Sequence, residues 1–220
     1  MHRIAFCITM YNEGKTVQTN INNIREKYDN AVIIVIQSDA SITIENADVF
    51  IVLPNLSGTI DKYKLPAHAL ARNYGRAFTE LYKNYTDIDF IVALTGDTLI
   101  EKFDCLTDLY NQMTSENKIA CVAQAIGQDF HASNSKPPIQ CGGRIQHEGI
   151  SDFMPQFFLI QGDFAYYTKF LSNMEITNKY CSEQCLGDEI MKYSSVPFKE
   201  KVLVIAKHAY DYDGGISYNT

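Results

Sequence analysis

Apolar and polar residues alternate along the first half of the chain in blocks with the lengths of strands and helices. Residues 3–9, 31–36 and 90–94 are short, predominantly apolar runs, as expected of strands buried on both faces of a parallel sheet. Residues 15–28 and 67–83 instead repeat their apolar positions every three to four residues, which predicts helices with one buried face. A strand, a helix and a second strand in succession predict a right-handed parallel unit.

The rest of the chain carries the same signals less regularly. Strands are predicted at residues 48–53, 118–125 and 201–206, and helices at residues 103–113 and 183–194. Strands and helices that alternate in this way are typical of an α/β fold with a mostly parallel sheet flanked by helices.

Two segments do not follow the pattern. Residues 128–149 mix Ser, Asn, Gly, Gln and a Pro-Pro pair with no clean period, and a loop of that length is expected to be functional or disordered. Residues 211–220 are polar and contain glycine, so we expect this tail to be mobile.

Composition narrows the class of protein. The chain has 220 residues, 46% of them hydrophobic, which suffices for a substantial core, and its formal net charge of -7 argues against nucleic acid as a partner. No apolar run approaches the roughly 20 residues of a membrane span, and the N-terminus lacks the form of a signal peptide. We therefore expect a cytoplasmic protein without a membrane span. Its six cysteines are expected to be reduced core thiols, and the close pair Cys181 and Cys185 lacks the further ligands of a zinc site.

Polar residues follow the predicted strands where each strand ends. Thr9-Met10-Tyr11-Asn12-Glu13-Gly14 follows the first strand, Asp39 follows the second, and Thr95-Gly96-Asp97-Thr98 follows the strand at residues 90–94. Ligands of open α/β sheets bind at the carboxyl ends of the strands. If these strands are parallel, all three groups lie on one rim, where they predict a nucleotide site.

The segment after the first strand has side chains suited to a nucleotide. It lacks the glycine spacing of a dinucleotide fingerprint or a P-loop, so side chains and a metal must hold the phosphates. Tyr11 offers a ring that can stack on a base, while Asn12, Glu13 and Asp39 can hydrogen-bond to base or ribose. The alternative is an ordinary turn in which Glu13 and Gly14 open a helix.

Asp97 is the leading candidate for a metal ligand. Mg²⁺ and Mn²⁺ prefer one or two carboxylates together with substrate phosphate oxygens, and an acid in a Gly-flanked turn after a buried strand can bridge protein and diphosphate. The alternative is that Asp97 caps the following helix. His208, which follows the last predicted strand, can ligate the same metal or contact phosphate, although a lone histidine is more often a packed or surface residue.

Two further groups are candidates for contacts with the sugars. Asp188 and Glu189 open the helix predicted at residues 183–194, where either can act as general base toward a sugar hydroxyl, and the position favours Asp188. The helix dipole, which stabilises acids at a helix start, is the structural explanation for the same pair. Gly162 and Asp163 can touch the acceptor or donor sugar, because glycine permits close approach.

Taken in order, these motifs resemble those of GT-A-fold glycosyltransferases of the family-2 type. Thr9-Met10-Tyr11-Asn12-Glu13 is similar to their first-strand motif, and Ala69-Leu70-Ala71-Arg72-Asn73-Tyr74-Gly75 is similar to their Ala-Arg-Asn-x-Gly helix. Residues 90–98 stand in the place of their strand with an Asp-x-Asp motif, and Gly187-Asp188-Glu189 in that of their late acidic motif. The likeness spans most of the chain, and the Ala-Arg-Asn-x-Gly stretch is its most specific part.

The resemblance implies a single GT-A-like domain over residues 1–220 with a mixed, mostly parallel sheet, a nucleotide-sugar half at 1–100 and an acceptor half at 101–220. It implies a nucleotide-diphosphate sugar as donor, a glycan or other hydroxyl acceptor, and Mn²⁺ or Mg²⁺ bound by Asp97 with His208. Asp188, with Glu189 beside it, would deprotonate the acceptor for inverting displacement. The residues assigned to the donor are Thr9, Tyr11, Asn12, Glu13, Asp39, Arg72 and Gly96.

The chain departs from the family pattern in two places. Gly96-Asp97-Thr98 has a single acid where the family commonly has two, so His208 or water completes the metal shell, or metal dependence is reduced. Gln37-Ser38-Asp39 lacks the family's usual paired acids, which leaves the base contact open. Two alternatives stand beside the transferase: a non-catalytic nucleotide-sugar-binding module, which the single acid favours, and a sugar-phosphate nucleotidylyltransferase, whose Gly-rich, Arg-containing loop is not found at residues 9–15.

Overall fold

The structure, a computed structural model, describes residues 2–38, 42–54, 66–124, 153–172, 202–205, 211–212 and 216–218. The predicted helix at residues 183–194 and the irregular segment at residues 128–149 lie outside these residues. The described elements, in chain order, are β1 (Ile4–Met10), α1 (Gly14–Lys27), β2 (Val32–Gln37), β3 (Val49–Val52), α2 (Pro66–Asn84), β4 (Phe90–Thr95), β5 (Thr98–Ile100), α3 (Asp104–Ser115), β6 (Ala120–Gln124), β7 (Phe153–Gln161), α4 (Gly162–Thr168), β8 (Val202–Ile205), β9 (Asp211–Tyr212) and β10 (Ile216–Tyr218).

The main sheet has seven strands in the order β3-β2-β1-β4-β7-β6-β8. The first four run parallel, β7 is antiparallel to both of its neighbours, and β8 is parallel to β6. The predicted unit of strand, helix and strand is confirmed, since β1 and β2 pair in parallel from Ala5 opposite Val32 to Met10 opposite Gln37. The result is the α/β fold expected from the sequence, with a mixed, mostly parallel sheet flanked by helices.

Each face of the sheet is covered by helices. One face packs against α1 and α3 through residues such as Phe6, Ile8 and Ile21, and the other packs against α2 and α4 through residues such as Tyr74 and Phe78. The side chains of β1, β2 and most of β4 are buried on both faces, which explains why these strands are apolar at nearly every position. Burial of each large apolar side chain contributes about 1.5–3 kcal/mol to folding.

A second, three-stranded sheet lies next to the end of β4. It has the order β5-β10-β9, and its pairs are antiparallel, with Ile216 opposite Ile100 and Tyr218 opposite Thr98. These two short strands, β9 and β10, were not predicted from the sequence, and the mobility of the tail at residues 211–220 stays a prediction. A polar composition indicates solvent exposure of side chains, but it does not prevent the backbone from pairing with a strand that is distant in sequence.

A buried asparagine on α1 hydrogen-bonds to β5 on the side that does not pair with β10. The Asn20 side chain on α1, which is fully buried, donates from Nδ2 to the Thr98 carbonyl at 2.7 Å and accepts from the Ile100 N–H at Oδ1 at 3.0 Å. The amide thus replaces a neighbouring strand for two buried backbone groups. Because β5 begins directly after Asp97, Asn20 also fixes the position of the residues that follow this candidate metal ligand.

Replacement of Asn20 by leucine is expected to destabilise the fold by about 2–6 kcal/mol, since it leaves a backbone donor and an acceptor unsatisfied, each at a cost of about 1–3 kcal/mol. Urea unfolding checks this value. Asn22→Leu is the matched control, because Asn22 lies on an exposed position of the same helix. Equal unfolding midpoints for the two variants would show that the buried amide does not hold β5.

No helix in the residues described above is both long and apolar enough to cross a membrane.

Candidate functional site

Parallel pairing brings the carboxyl ends of β2, β1 and β4 to one edge of the sheet. Thr9 lies opposite Ile36 on one side and opposite Thr95 on the other. The described site candidates that meet at this edge are Thr9, Tyr11, Asn12, Glu13, Gly96 and Asp97. The candidates Asp39, Asp188, Glu189 and His208 lie outside the described residues, and their assignments stay predictions.

The turn after β1, residues 11–13, is stabilised by its own carboxylate. Glu13 Oε2 accepts the N–H of Tyr11 at 2.8 Å and the N–H of Asn12 at 3.1 Å. Gln37 at the end of β2 donates from Nε2 to the Tyr11 carbonyl at 3.3 Å. Tyr11 itself is 45% exposed, and Asn12 is exposed as well. The turn therefore presents the Tyr11 and Asn12 side chains at the edge and uses the Glu13 carboxylate internally.

Gly96 lets the end of β4 approach this turn. A Cβ at position 96 would lie 2.7 Å from Glu13 Oε2 and 3.0 Å from the Cβ atoms of Glu13 and Met10. Contacts below 3.0 Å force atoms to move, so only glycine fits here without displacing Glu13. Gly96 therefore allows the β4–β5 turn to pack closely against the turn after β1. Its place beside Asp97 in the sequence does not predict this role.

Asp97 lies in the turn between β4 and β5, partly exposed. Its Oδ1 accepts a hydrogen bond from the Thr95 hydroxyl, which also shares a hydrogen bond of 3.1 Å with the Thr98 hydroxyl. The next helix, α3, begins at Asp104 after β5, and its N-cap is Phe103. The alternative role of Asp97 as a helix cap is therefore wrong, since a whole strand separates it from that helix.

The described part of the site offers one carboxylate, that of Asp97, to a divalent cation. Among the described residues, no group of three or more His, Cys, Asp or Glu side chains is placed to hold a metal ion. Asp97 supplies one carboxylate at the sheet edge, and Mg²⁺ is commonly held by one or two carboxylates together with water and substrate phosphate oxygens. The described residues therefore do not form a complete metal site by themselves, and a cation held by Asp97 together with a diphosphate stays a prediction.

The Arg72-Asn73 pair on α2 reaches the same edge. Asn73, which is buried, donates from Nδ2 to the Ser38 hydroxyl at 2.7 Å, just after β2. Arg72 donates from Nε and Nη2 to Asn73 Oδ1 at 3.3 and 3.1 Å, and from Nη1 to the Pro54 carbonyl at 2.9 Å. Partial burial lowers the pKa of the Arg72 guanidinium. The pair thus ties α2 to the ends of β2 and β3 and sets a positive charge at the edge.

Two buried side-chain atoms at this edge have no hydrogen-bond partner among the described residues. They are Thr9 Oγ1 and Gln37 Oε1, on side chains that are 3% and 0% exposed. Side chains alternate along β1, so Thr9 lies on the α2 face with Ala5 and Cys7. Unsatisfied buried polar groups are rare in proteins and call for a functional or structural explanation. In the sequence, Gln37 stands out only because Gln37-Ser38-Asp39 lacks the family's usual paired acids, and this pattern does not predict that the Gln37 side chain is buried at this edge.

Gly162 and Asp163 lie at the other end of the strands, next to the first residue of β4 and away from the carboxyl ends of β1 and β4. Gln161 pairs with Phe90, the first residue of β4, and the Gly162 N–H donates to the Asp89 carbonyl at 2.8 Å. A Cβ at position 162 would lie 1.7 Å from the Ile88 carbonyl oxygen. The close approach that this glycine permits is thus to the protein's own backbone, and the structure does not bring Gly162 or Asp163 together with Asp97.

The described cysteines are unsuited to nucleophilic chemistry. Cys7, Cys105 and Cys121 are buried and form no disulfide. Burial raises the pKa of the Cys105 thiol to about 12 and raises the pKa of Cys7 and Cys121 as well. Because the thiolate is the reactive form, these three residues act as small apolar core groups, as the sequence predicts.

No protein-family model matches the chain, and no curated protein does either. The chain is similar in structure to 4-diphosphocytidyl-2C-methyl-D-erythritolsynthase from Anaerococcus prevotii DSM 20548, with 11% identity and a TM-score of 0.49 over 100% of this chain and 93% of that one. It is also similar to a glycosyltransferase involved in the glycosylation of the major capsid of PBCV-1, with 11% identity and a TM-score of 0.46 over 92% and 81% of the two chains. At such identities and TM-scores, neither likeness decides what this chain does.

Proposed function

We propose that this protein is a glycosyltransferase that moves a sugar from a nucleotide-diphosphate donor to an acceptor hydroxyl, with a divalent cation and with inversion. The observation that carries the proposal is the meeting, at one edge of a parallel sheet, of the exposed turn of Tyr11 and Asn12 with the carboxylate of Asp97. This edge is where open α/β sheets bind ligands. The order of motifs that resemble family-2 transferases supports the same proposal.

The donor nucleotide would bind at the ends of β1 and β2. The Tyr11 ring, 45% exposed, offers a face for the base, and the Asn12 amide offers both a donor and an acceptor. The Thr9 hydroxyl, near the end of β1, is buried and has no hydrogen-bond partner among the described residues. Asp39, one residue beyond Ser38, would contact the base. The Arg72 charge, held near the ends of β2 and β3, favours the approach of the anionic diphosphate.

The reaction we propose is a single displacement at the anomeric carbon. Asp188 would accept the proton of the acceptor hydroxyl, while Glu189 lies next to it in the sequence. The acceptor oxygen then forms the new bond to the anomeric carbon as the bond from that carbon to the diphosphate oxygen breaks. Asp97, with His208 as a proposed further ligand, would hold Mn²⁺ or Mg²⁺, which when bound offsets the charge on the departing diphosphate.

A non-catalytic module that binds nucleotide sugars is the second candidate. The observation that favours it is the single carboxylate, Asp97, in the β4–β5 turn, because one acid holds a cation weakly without a substrate. Turnover of a nucleotide sugar would exclude this candidate, whereas saturable binding without hydrolysis or transfer would support it.

A thermal-shift screen against UDP, GDP, TDP and CDP, each with and without Mn²⁺, tests the proposal. We expect one nucleotide to raise the melting temperature in a Mn²⁺-dependent manner, because a ligand that binds only the folded state stabilises it. The gain is about 2.7 kcal/mol at a ligand concentration 100 times the Kd. Absence of a shift with all four nucleotides would contradict the proposed function.

A further inference from the structure

We infer that Glu13 is a positioning residue, whose carboxylate fixes the turn after β1 against the turn that carries Asp97. The inference deepens the proposed function and rests on it for its effect on donor binding. It differs from the assignment of Glu13 to the base or ribose, because in the structure this carboxylate bonds to the protein's own backbone.

The first step is the bracing of the β1 turn. One carboxylate oxygen, Glu13 Oε2, accepts two successive backbone N–H groups, those of Tyr11 and Asn12. Hydrogen bonds to an ionised acceptor are roughly twice as strong as neutral ones. On the other side, the Gln37 amide donates to the Tyr11 carbonyl. The backbone of Tyr11 is therefore held at both its N–H and its C=O, which fixes where its exposed ring leaves the sheet.

The second step is the contact with the β4–β5 turn. The same Glu13 oxygen lies over the Gly96 backbone, 2.7 Å from the position that a Cβ would occupy. Gly96 is buried, and its neighbour Asp97 is tied to the Thr95 hydroxyl. The Glu13 carboxylate thus bonds to one turn and lies against the other, and we expect loss of this side chain to change the spacing of the two turns.

The third step is the geometry of a donor. A nucleoside diphosphate carries its base and its phosphates at a restricted separation, and the proposed function uses Tyr11 for the base and Asp97 for the cation on the phosphates. Both contacts form together only if the two turns keep their spacing. A misplacement of about 1 Å can cost 10²-fold in an enzyme reaction, and loss of a residue that orients a metal ligand typically costs 10–100-fold in affinity.

Backbone amide exchange tests the brace without any ligand. In Glu13→Ala, exchange at the Tyr11 and Asn12 amides is expected to accelerate about tenfold, and Glu13→Gln, which keeps an acceptor oxygen, should restore most of the protection. Gly96→Ala, a change in the β4–β5 turn, should also accelerate exchange at these amides, because the new Cβ displaces the Glu13 carboxylate. Glu26→Gln is the matched control, since Glu26 is an exposed acid on α1.

Binding of the Mn²⁺ complex of the nucleotide found in the screen is the second readout, measured by calorimetry. We expect Glu13→Ala to lower its affinity roughly 10–100-fold and Glu13→Gln to lower it much less. Unchanged amide exchange in Glu13→Ala, or equal losses of affinity in the Ala and Gln variants, would overturn the inference. If the wild-type protein binds none of the four nucleotides, the proposed function fails, and the exchange rates in Glu13→Ala and Gly96→Ala alone decide whether Glu13 joins the two turns.

Discussion

Alanine at position 162 is expected to lower the free energy of unfolding by at least about 3 kcal/mol, because its methyl group has no space. The added Cβ would lie 1.7 Å from the Ile88 carbonyl oxygen and 2.8 Å from the Ile88 carbonyl carbon. These are backbone atoms, which cannot rotate away as a side chain can. Relief of the clash requires the start of α4 to move from β4 and to break the hydrogen bond from the Gly162 N–H to Asp89.

The same substitution at Gly14 is the matched control for Gly162→Ala. There the new Cβ would lie 2.5 Å from Ile42 Cγ2, which belongs to a side chain on the partly exposed surface and not to the backbone. We expect Gly14→Ala to change stability much less than Gly162→Ala, as measured by urea unfolding of both proteins. Similar unfolding midpoints would show that α4 adjusts easily and that position 162 does not require glycine.

Replacement of Asp97 by asparagine is expected to lower turnover of the donor by roughly 10²–10³-fold and to shift the Mn²⁺ dependence of nucleotide binding to higher Mn²⁺ concentrations. Asparagine keeps an oxygen that can accept the hydrogen bond from the Thr95 hydroxyl, so the turn should keep its shape. What is lost is the negative charge that would hold the cation beside the diphosphate. Any remaining turnover should need a higher cation concentration for half-activity.

Asp108→Asn is the matched control for this charge change, since Asp108 is an exposed acid on α3 and not part of the β4–β5 turn. Donor turnover and nucleotide affinity are measured for both variants over a range of Mn²⁺ and Mg²⁺ concentrations. Turnover that is the same in Asp97→Asn and Asp108→Asn with every cation would remove Asp97 from the proposed mechanism and favour a reaction without a cation.

The first half of the fold could be predicted closely because its signals are local. The strands at the centre of the sheet, β1, β2 and β4, are covered on both faces, so they are apolar almost throughout. The helices α1 and α2 bury one face each, and this produces the observed spacing of apolar residues. By contrast, β5 and β10 are short and pair with each other across more than a hundred residues, so no local pattern marks them.

For the candidate site, the sequence predicted which residues share an edge of the sheet, because this follows from the direction of the strands. It did not predict the contacts between those residues. Parallel strands place Tyr11 and Asp97 on one edge, and the sequence predicts this once β1 and β4 are recognised. The role of Glu13 as a brace could not be predicted, since an acid in a turn has many possible hydrogen-bond donors. Gly162 shows the same limit: glycine indicates close approach, but the sequence does not say to which partner.

The order of apolar and polar residues along the chain is enough to predict the class of fold, the central parallel strands and the edge on which the polar residues gather. These depend on hydrophobic burial, which acts on each segment according to its own spacing of apolar residues. The folded arrangement of the chain was needed to show that Glu13 lies against Gly96, that Asn20 hydrogen-bonds to β5 and that Gly162 faces Ile88. Hydrogen bonds and close contacts are short-ranged and directional, so they depend on the positions of segments that lie tens of residues apart in the chain.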